Sequence, residues 1–507
     1  MPGVLGVLVV DHAVIHKEFC NMIHRNIIKR TPLFIIALFA LASAAAFAAE
    51  ASKQDVLAER IDSIIAQSRQ SACKWSIEVV SLDTGTTLYE KNARLSLVPA
   101  SNTKLFTTAA ALHYLGPDFT IKTSFYFDGK LDENGTLNGD LVVYGRGDPN
   151  ISGRFADRPT RIFEEIVNSL LSLGLREVRG DIIGDDSYFD SQYYGPWPDT
   201  DANRWYAARV SALSFNDNCI DIRVSPSTPG LRANISKSPW TSYVKVINRA
   251  TTTNRKQNSV WFTPAADGNI VINGQIWTGR QVEVLYVPVQ NPALYSATVF
   301  KETLERSEVP VSGKARVLRP NEMSVAHRDG AVLVAEYESL PLSEMIKVVN
   351  KRSQNLHAEL LLKQIGRKAG FGGSFQGGAK AIDQFLLEME LYPVDIQDGS
   401  GLCRTNRASA HSIVQLLKYM DSSAWAEVYR DSLAVAGVDN SVRSMAGIAP
   451  NGNLVGKTGS LNKVVAFSGY ATGRTERLAF SIIANNFNDA YRVKEARNKI
   501  CRELVRY

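Results

Sequence analysis

The stretch Leu97–Leu112, LVPASNTKLFTTAAAL, sets a hydroxyl and an amine three positions apart, where a Pro-bounded extended run gives way to a helical apolar pattern. Leu105, Phe106, Ala109, Ala110 and Leu112 recur at helical spacing, so Ser101 stands at a helix start and shares a face with Lys104. A hydroxyl becomes a nucleophile when a base lies within hydrogen-bond reach. An amine serves as that base once burial or a second cation lowers its pKa. The helix N-terminus adds N–H groups that favour developing negative charge. Taken alone, the same residues also fit a plain N-cap followed by a solvated lysine.

Ser-x-x-Lys occurs four times, at Ser71/Lys74, Ser101/Lys104, Ser242/Lys245 and Ser460/Lys463, so context must choose. Around Ser242 the alternation is that of a strand, which turns residues three apart to opposite faces. Ser71 sits where a helix runs out, and Ser460 and Lys463 flank a hairpin turn. Only Ser101 opens a helical pattern. Two further signals join it. Lys457-Thr458-Gly459 falls in an expected strand before the apolar run Val464 to Tyr470, and its glycine either lets a ligand backbone approach or merely relaxes a hairpin. Ser353-Gln354-Asn355 lies between two helical patterns, where polar side chains are exposed on a rigid support. Ser-x-Asn also occurs at Ser214/Asn216 and Ser460/Asn462.

A chain of 507 residues exceeds one ordinary core, and 45% hydrophobic with 21% charged residues is a globular composition. A net charge of +6 without a dense Lys/Arg block argues against a nucleic-acid groove. Arg25, Lys29 and Arg30 precede an apolar run from Leu33 that ends in Ala46-Phe47-Ala48, the pattern of a secretory signal cleaved near Ala48 or Ala49. Met22 is an alternative start, and an uncleaved anchor is the competing reading. Cys73, Cys219, Cys403 and Cys501 show no Cys-x-x-Cys spacing, which disfavours a metal site. Export permits a bridge, for which Cys73 and Cys501 are the first pair to test; four unpaired, buried thiols are the alternative.

Along the chain, a helix over Val56 to Ser68, a hairpin around Asp83-Thr84-Gly85 and the quoted helix come first. A long β-rich region follows, interrupted by one helix at Arg161 to Leu173. Helices return from about Leu340, and three strands and a helix from Ala490 close the chain. An α+β domain explains this order if its antiparallel sheet, flanked by helices, is assembled from both chain ends and split by an insertion. The expected division is 1–49 signal region, 50–125 first part, 126–318 β-rich insertion of one or two small domains (inner subdomain about 190–290), and 319–507 second part.

Ser-x-x-Lys on a helix, Ser-x-Asn between helices and Lys-Thr-Gly on a strand, in that order, form the signature of penicillin-recognising serine enzymes. With GRGDP (Gly145 to Pro149), GDIIGDDSYFD, SALSFNDN and DGSGLCRTN (Asp398 to Asn406), the chain resembles the D-alanyl-D-alanine carboxypeptidase/endopeptidase family of the class C, penicillin-binding protein 4 type. The resemblance spans nearly the whole mature chain and implies a β-lactamase/transpeptidase-like domain acting on peptidoglycan stem peptides in the periplasm. It implies that Ser101 attacks the penultimate D-Ala carbonyl, Lys104 takes its proton, and Ser353 relays a proton to the leaving amine while Lys457 keeps the field positive. Asn355 would bond the acyl-side amide. Lys457 and Thr458 would hold the terminal carboxylate beside Gly459, and the N–H groups of Ser101 and Ser460 would form the oxyanion hole. Asp185 reads either as a ligand for a stem-peptide amine or as a turn carboxylate. No cofactor or metal is implied. β-Lactams become inhibitors by mimicry, and peripheral association with the cell wall or membrane stays open. The competing readings are a β-lactamase, although no Glu-bearing deacylation loop is identifiable, and a non-catalytic peptidoglycan-binding protein.

Overall fold

Val464–Thr472 and Arg477–Asn485 read as unbroken apolar runs because both faces of their sheet are covered. In the computed structural model, which describes residues 53–265, 268–449 and 452–507, these strands are the centre of a six-stranded antiparallel sheet. Its order is Ala434–Val435, Leu454–Leu461, Val464–Thr472, Arg477–Asn485, Lys74–Ser81, Thr87–Lys91. The last two strands are the hairpin around the Asp83-Thr84-Gly85 turn, and Ile77 pairs with Ile482 in register. One sheet is thus built from both ends of the chain, as the pattern predicts. Ala466 and Tyr470 pack with Leu105, Phe106, Ile346 and Leu417 on one face. Between them in sequence, Phe467 points the other way, to Phe480 and to Arg497 of the closing helix Ala490–Arg506.

The helix Thr103–Leu115 is buried at every position from Thr103 to Leu112. A helix enclosed on all sides is central to its core, so whatever its N-terminus carries is held rigidly. It packs in one cluster with Leu342–Lys351, Asn355–Lys368, Phe375–Glu388 and Ala410–Ser422, the helices expected from Leu340 onward.

The inserted region forms a second sheet, ordered Ala315–Val317, Ile182–Asp185, Thr136–Tyr144, Lys122–Leu131, Val332–Glu338. It mixes parallel and antiparallel pairs. Lys122–Leu131 and Val332–Glu338 are partners in this sheet, the first strand running across residue 126 and the second lying beyond residue 318. Among the described residues the region holds two α-helices instead of the single one expected: Arg161–Ser172, and also Pro292–Arg306. The second was signalled by Asn291-Pro292. The Asn291 carboxamide caps Leu294 N at 3.0 Å, and proline occupies the first turn. Its Phe300 packs against Phe125 and Phe163. Strands between Cys219 and Pro288 make three further small sheets, inside the span expected for an inner subdomain.

The expected export signal lies outside the described residues. Among the described residues, no helix is long and apolar enough to cross a membrane. Cys73, Cys219, Cys403 and Cys501 are all free thiols, so the Cys73–Cys501 bridge is not formed. Burial pushes the thiols of Cys73 and Cys501 up to about 12, which removes the thiolate needed for exchange. Alkylation of the denatured, unreduced protein should therefore modify all four of these cysteines, as read by peptide mass; protection of Cys73 together with Cys501 would show a bridge instead.

Candidate active site

Ser101 is set by its neighbours on both sides. Ala100 takes a left-handed backbone (φ 47°), and the short turn Ala100–Asn102 runs directly into the Thr103–Leu115 helix. The cap position falls on Asn102 and carries no side-chain cap bond, so Ser101 is not serving as an N-cap. Two glycines let other segments close on this turn. A Cβ on Gly401, itself at φ 81°, would lie 1.9 Å from Ala100 O, and one on Gly459 would lie 2.8 Å from Pro99 O. Asn102 ties the turn to the sheet. Its Nδ2 donates to Lys457 O at 2.6 Å, and its Oδ1 accepts from Ser468 Oγ at 2.9 Å.

Lys104 is fully buried, and its amine reaches three oxygens from three parts of the chain. These are Ser101 Oγ at 3.0 Å, Asn355 Oδ1 at 2.7 Å and Ser400 O at 2.6 Å. Burial drives its pKa down to about 7, with the Asp398 and Glu359 carboxylates pulling the other way. A neutral amine has two N–H donors and one lone pair. Asn355 Oδ1 and Ser400 O can only accept, so the lone pair of neutral Lys104 is directed at the Ser101 hydroxyl.

The second amine is Lys457, also fully buried, which donates to Ser353 Oγ at 2.8 Å and Thr458 O at 2.7 Å. Burial, and after it the charge of Lys104, holds its pKa well below the ordinary lysine value. Ser353 adopts φ 58°, a strained left-handed conformation in the link between Leu342–Lys351 and Asn355–Lys368. Asn355, first residue of that helix, is held from the insertion side by its Nδ2 bond to Tyr206 O at 2.8 Å. Gln354 Nε2 likewise donates to Asp217 Oδ2 at 2.9 Å. Hydrogen bonds thus join these residues in two groups, Ser101 and Asn355 on the Lys104 amine and Ser353 on the Lys457 amine, and the charge of Lys104 is felt at Lys457.

Thr458, Gly459 and Ser460 continue along the same strand, with Ser460 exposed. Leu454 O accepts from Ala436 N on the outer edge, so the two-residue alternation turns the backbone groups of Thr458 and Ser460 to that edge as well. Among the described residues, pairing there stops at Gly456. The open edge beside Ser101 is a template for an extended peptide.

Asp185 does not join this constellation. It is fully buried, and it accepts from Ser324 Oγ (2.7 Å), Val325 N (3.0 Å) and Ser187 N (3.0 Å), which fits the turn reading and leaves a substrate amine no access. The stretch DGSGLCRTN carries the family resemblance without an expected role of its own. Its Asp398 accepts from Gly401 N, Cys403 N, Asn406 Nδ2 and Trp197 Nε1, all within 2.9 Å, and so shapes the loop that presents Ser400 O to Lys104. Glu359, missed altogether, receives the N–H groups of Gly399 and Ser400. Its signal was a buried-helix position carrying an acid, which implies a hydrogen-bonded partner.

Comparison with known proteins agrees with this geometry. The model of the D-Ala-D-Ala carboxypeptidase 3 (S13) family matches residues 57–506. A D-alanyl-D-alanine carboxypeptidase of Actinomadura sp. (strain R39) is 31% identical over 471 residues, covering 90% of this chain and 85% of that protein. The D-alanyl-D-alanine carboxypeptidase DacB of Haemophilus influenzae is 26% identical over 419 residues, covering 78% and 82%. The solved structure of penicillin binding protein 4 from Haemophilus influenzae shares the fold, with TM-score 0.75 at 23% identity, over 88% of this chain and 99% of that one. Ser101 is paired with a buried lysine and the family match runs over almost the whole described chain, so the protein belongs to the D-Ala-D-Ala carboxypeptidase 3 (S13) family of serine peptidases.

Proposed function

We propose that this serine carboxypeptidase is exported through its N-terminal segment and hydrolyses peptidoglycan stem peptides and cross-links, with Ser101 as nucleophile and Lys104 as its base. The observation that carries the assignment is the buried, low-pKa Lys104 amine 3.0 Å from Ser101 Oγ. Ser101 Oγ attacks the carbonyl of the penultimate D-Ala, and its proton passes to Lys104. The tetrahedral oxyanion is met by the N–H groups of Ser101 and Ser460. The C–N bond then breaks, Ser353 relays a proton to the leaving amine by giving up its own and taking one from the Lys457 ammonium that donates to it, and an ester on Ser101 remains for water to hydrolyse. Asn355 holds the acyl-side amide. Lys457 and Thr458, next to Gly459, receive the carboxylate of the leaving residue. A β-lactam presents a carboxylate beside a strained amide and acylates the same oxygen.

Slow deacylation of β-lactams is favoured over a β-lactamase reading by Glu359. This carboxyl is fully buried with both oxygens occupied by backbone N–H groups, so it does not activate water at the ester.

Ser101→Ala should abolish covalent labelling by fluorescent penicillin without changing the thermal melt, and Lys104→Met should lose labelling as well; full labelling of the alanine variant would refute the assignment. Because the neutral amine is the active form and its pKa is lowered, acylation should rise as pH rises through about 7 and level off above it. A rate flat from pH 5 to 9 would rule out Lys104 as the base. Asp398→Ala strands the buried donors of Trp197, Gly401 and Cys403. A destabilisation of roughly 3–5 kcal/mol is expected by calorimetry, accompanied by loss of labelling.

A further inference from the structure

A cavity of about 1050 Å³ opens beside the site, between the insertion and the helices of the catalytic domain. Arg352 and Gln354, the two chain neighbours of Ser353, both line it. Another wall carries Arg443, from the segment after Ala434–Val435, whose residues pair with Gly456 and Val455 just before Lys457. The insertion contributes Trp205, 48% exposed, with its ring 6.3 Å from Tyr286.

The charges in this cavity do not cancel. Lys347 pairs with Glu344 at 2.7 Å, Lys351 with Asp439 at 3.7 Å, and Arg154 with Asp217 and Asp221. Among the described residues, Arg352 and Arg443 have no acidic partner. Two uncompensated guanidinium groups and an exposed indole in one concavity suit an extended peptide bearing free carboxylates.

Position and size then identify the occupant. On the reading above, Ser353 protonates the leaving nitrogen, so whatever continues from that nitrogen passes Ser353 toward this cavity. Carboxypeptidase action releases a single D-alanine, whereas clefts of about 300–1,000 Å³ enclose ligands many times larger. Cleavage of a cross-link releases a whole stem peptide. We propose that this cavity is the leaving-peptide subsite for cross-link hydrolysis, in which Arg352 and Arg443 bind carboxylates of the departing stem peptide and Trp205 packs along it.

The test uses the full chain and its Arg443→Ala and Trp205→Ala variants on a defined cross-linked muropeptide dimer and on a monomeric pentapeptide, with the rate of penicillin labelling measured in parallel. Each variant should lose about ten-fold in kcat/KM on the dimer, mainly through KM, which corresponds to one charge-assisted contact for Arg443 and to the apolar area covered by one indole for Trp205. D-Ala release from the monomer and penicillin labelling should stay at the parent level. Equal losses on both substrates, or an unaffected dimer, would overturn the subsite. A parent protein that labels with penicillin and trims the monomer but leaves the dimer intact would also overturn it, while leaving the serine mechanism standing. A parent that does not label at all would defeat the mechanism itself.

Discussion

The site is organised around one buried amine. Lys104 sits in a fully enclosed helix, where a charged ammonium would be penalised by desolvation, and every hydrogen bond it makes goes to a different segment of the chain. The helix supplies the amine, the start of Asn355–Lys368 supplies Asn355 Oδ1, and the Asp398 loop supplies Ser400 O. If any one of these segments drifts and admits water, the desolvation that lowers the pKa of the amine is relieved and that pKa climbs back. On the proposed mechanism, placement of the three segments and reactivity of Ser101 are thus one and the same requirement.

A second buried amine makes the arrangement stricter. Lys104 and Lys457 both lie in low dielectric, and the charge of one lowers the pKa of the other, so the doubly protonated state is disfavoured. Lys457 was expected to help hold Lys104 neutral; in the structure burial is the largest cause for both, and the charge effect runs the other way, from Lys104 onto Lys457. The insertion contributes to that burial. Tyr206 O holds Asn355, Trp197 Nε1 holds Asp398, and Asp190 takes the fully buried amine of Lys363 at 2.6 Å. The β-rich region therefore acts as a wall and brace of the site as well as a separate layer.

Much of this was legible in the sequence. Helical spacing after Ser101, uninterrupted apolar strands near the C-terminus and the Asp-Thr-Gly hairpin each report local periodicity, and local periodicity survives folding. Five polar positions, Ser101, Lys104, Ser353, Asn355 and Lys457, were legible because short motifs mark them. What escaped depends on contacts between distant segments. Asp398 and Glu359 act through backbone N–H groups that no residue pattern announces. Asp185 looked available because a carboxylate in a Gly-Asp-Asp turn carries no mark of whether it faces solvent or, as here, Ser324 and Val325. The pairing of Lys122–Leu131 with Val332–Glu338 went unread for a similar reason: it spans the entire inserted region.

Strain follows the same map. Ala100, Ser353 and Gly401 all take positive φ, and they belong to the three segments that surround Ser101. For a residue with a side chain such a conformation costs on the order of 1–3 kcal/mol, so it persists only where the surroundings over-determine it. Here the surroundings are the enclosed helix, the Asn102 anchor onto two strands, and a loop closed on its own carboxylate. Each holds its segment from outside the site, which leaves the Ser101 and Ser353 hydroxyls free of any structural role beyond their bonds to the two amines. That division also explains why an open strand edge at Thr458 and Ser460 is tolerable beside a rigid centre. On the proposed mechanism the reacting groups are fixed before substrate arrives, and the edge needs only to complete its hydrogen bonds with the peptide that brings the scissile bond to Ser101.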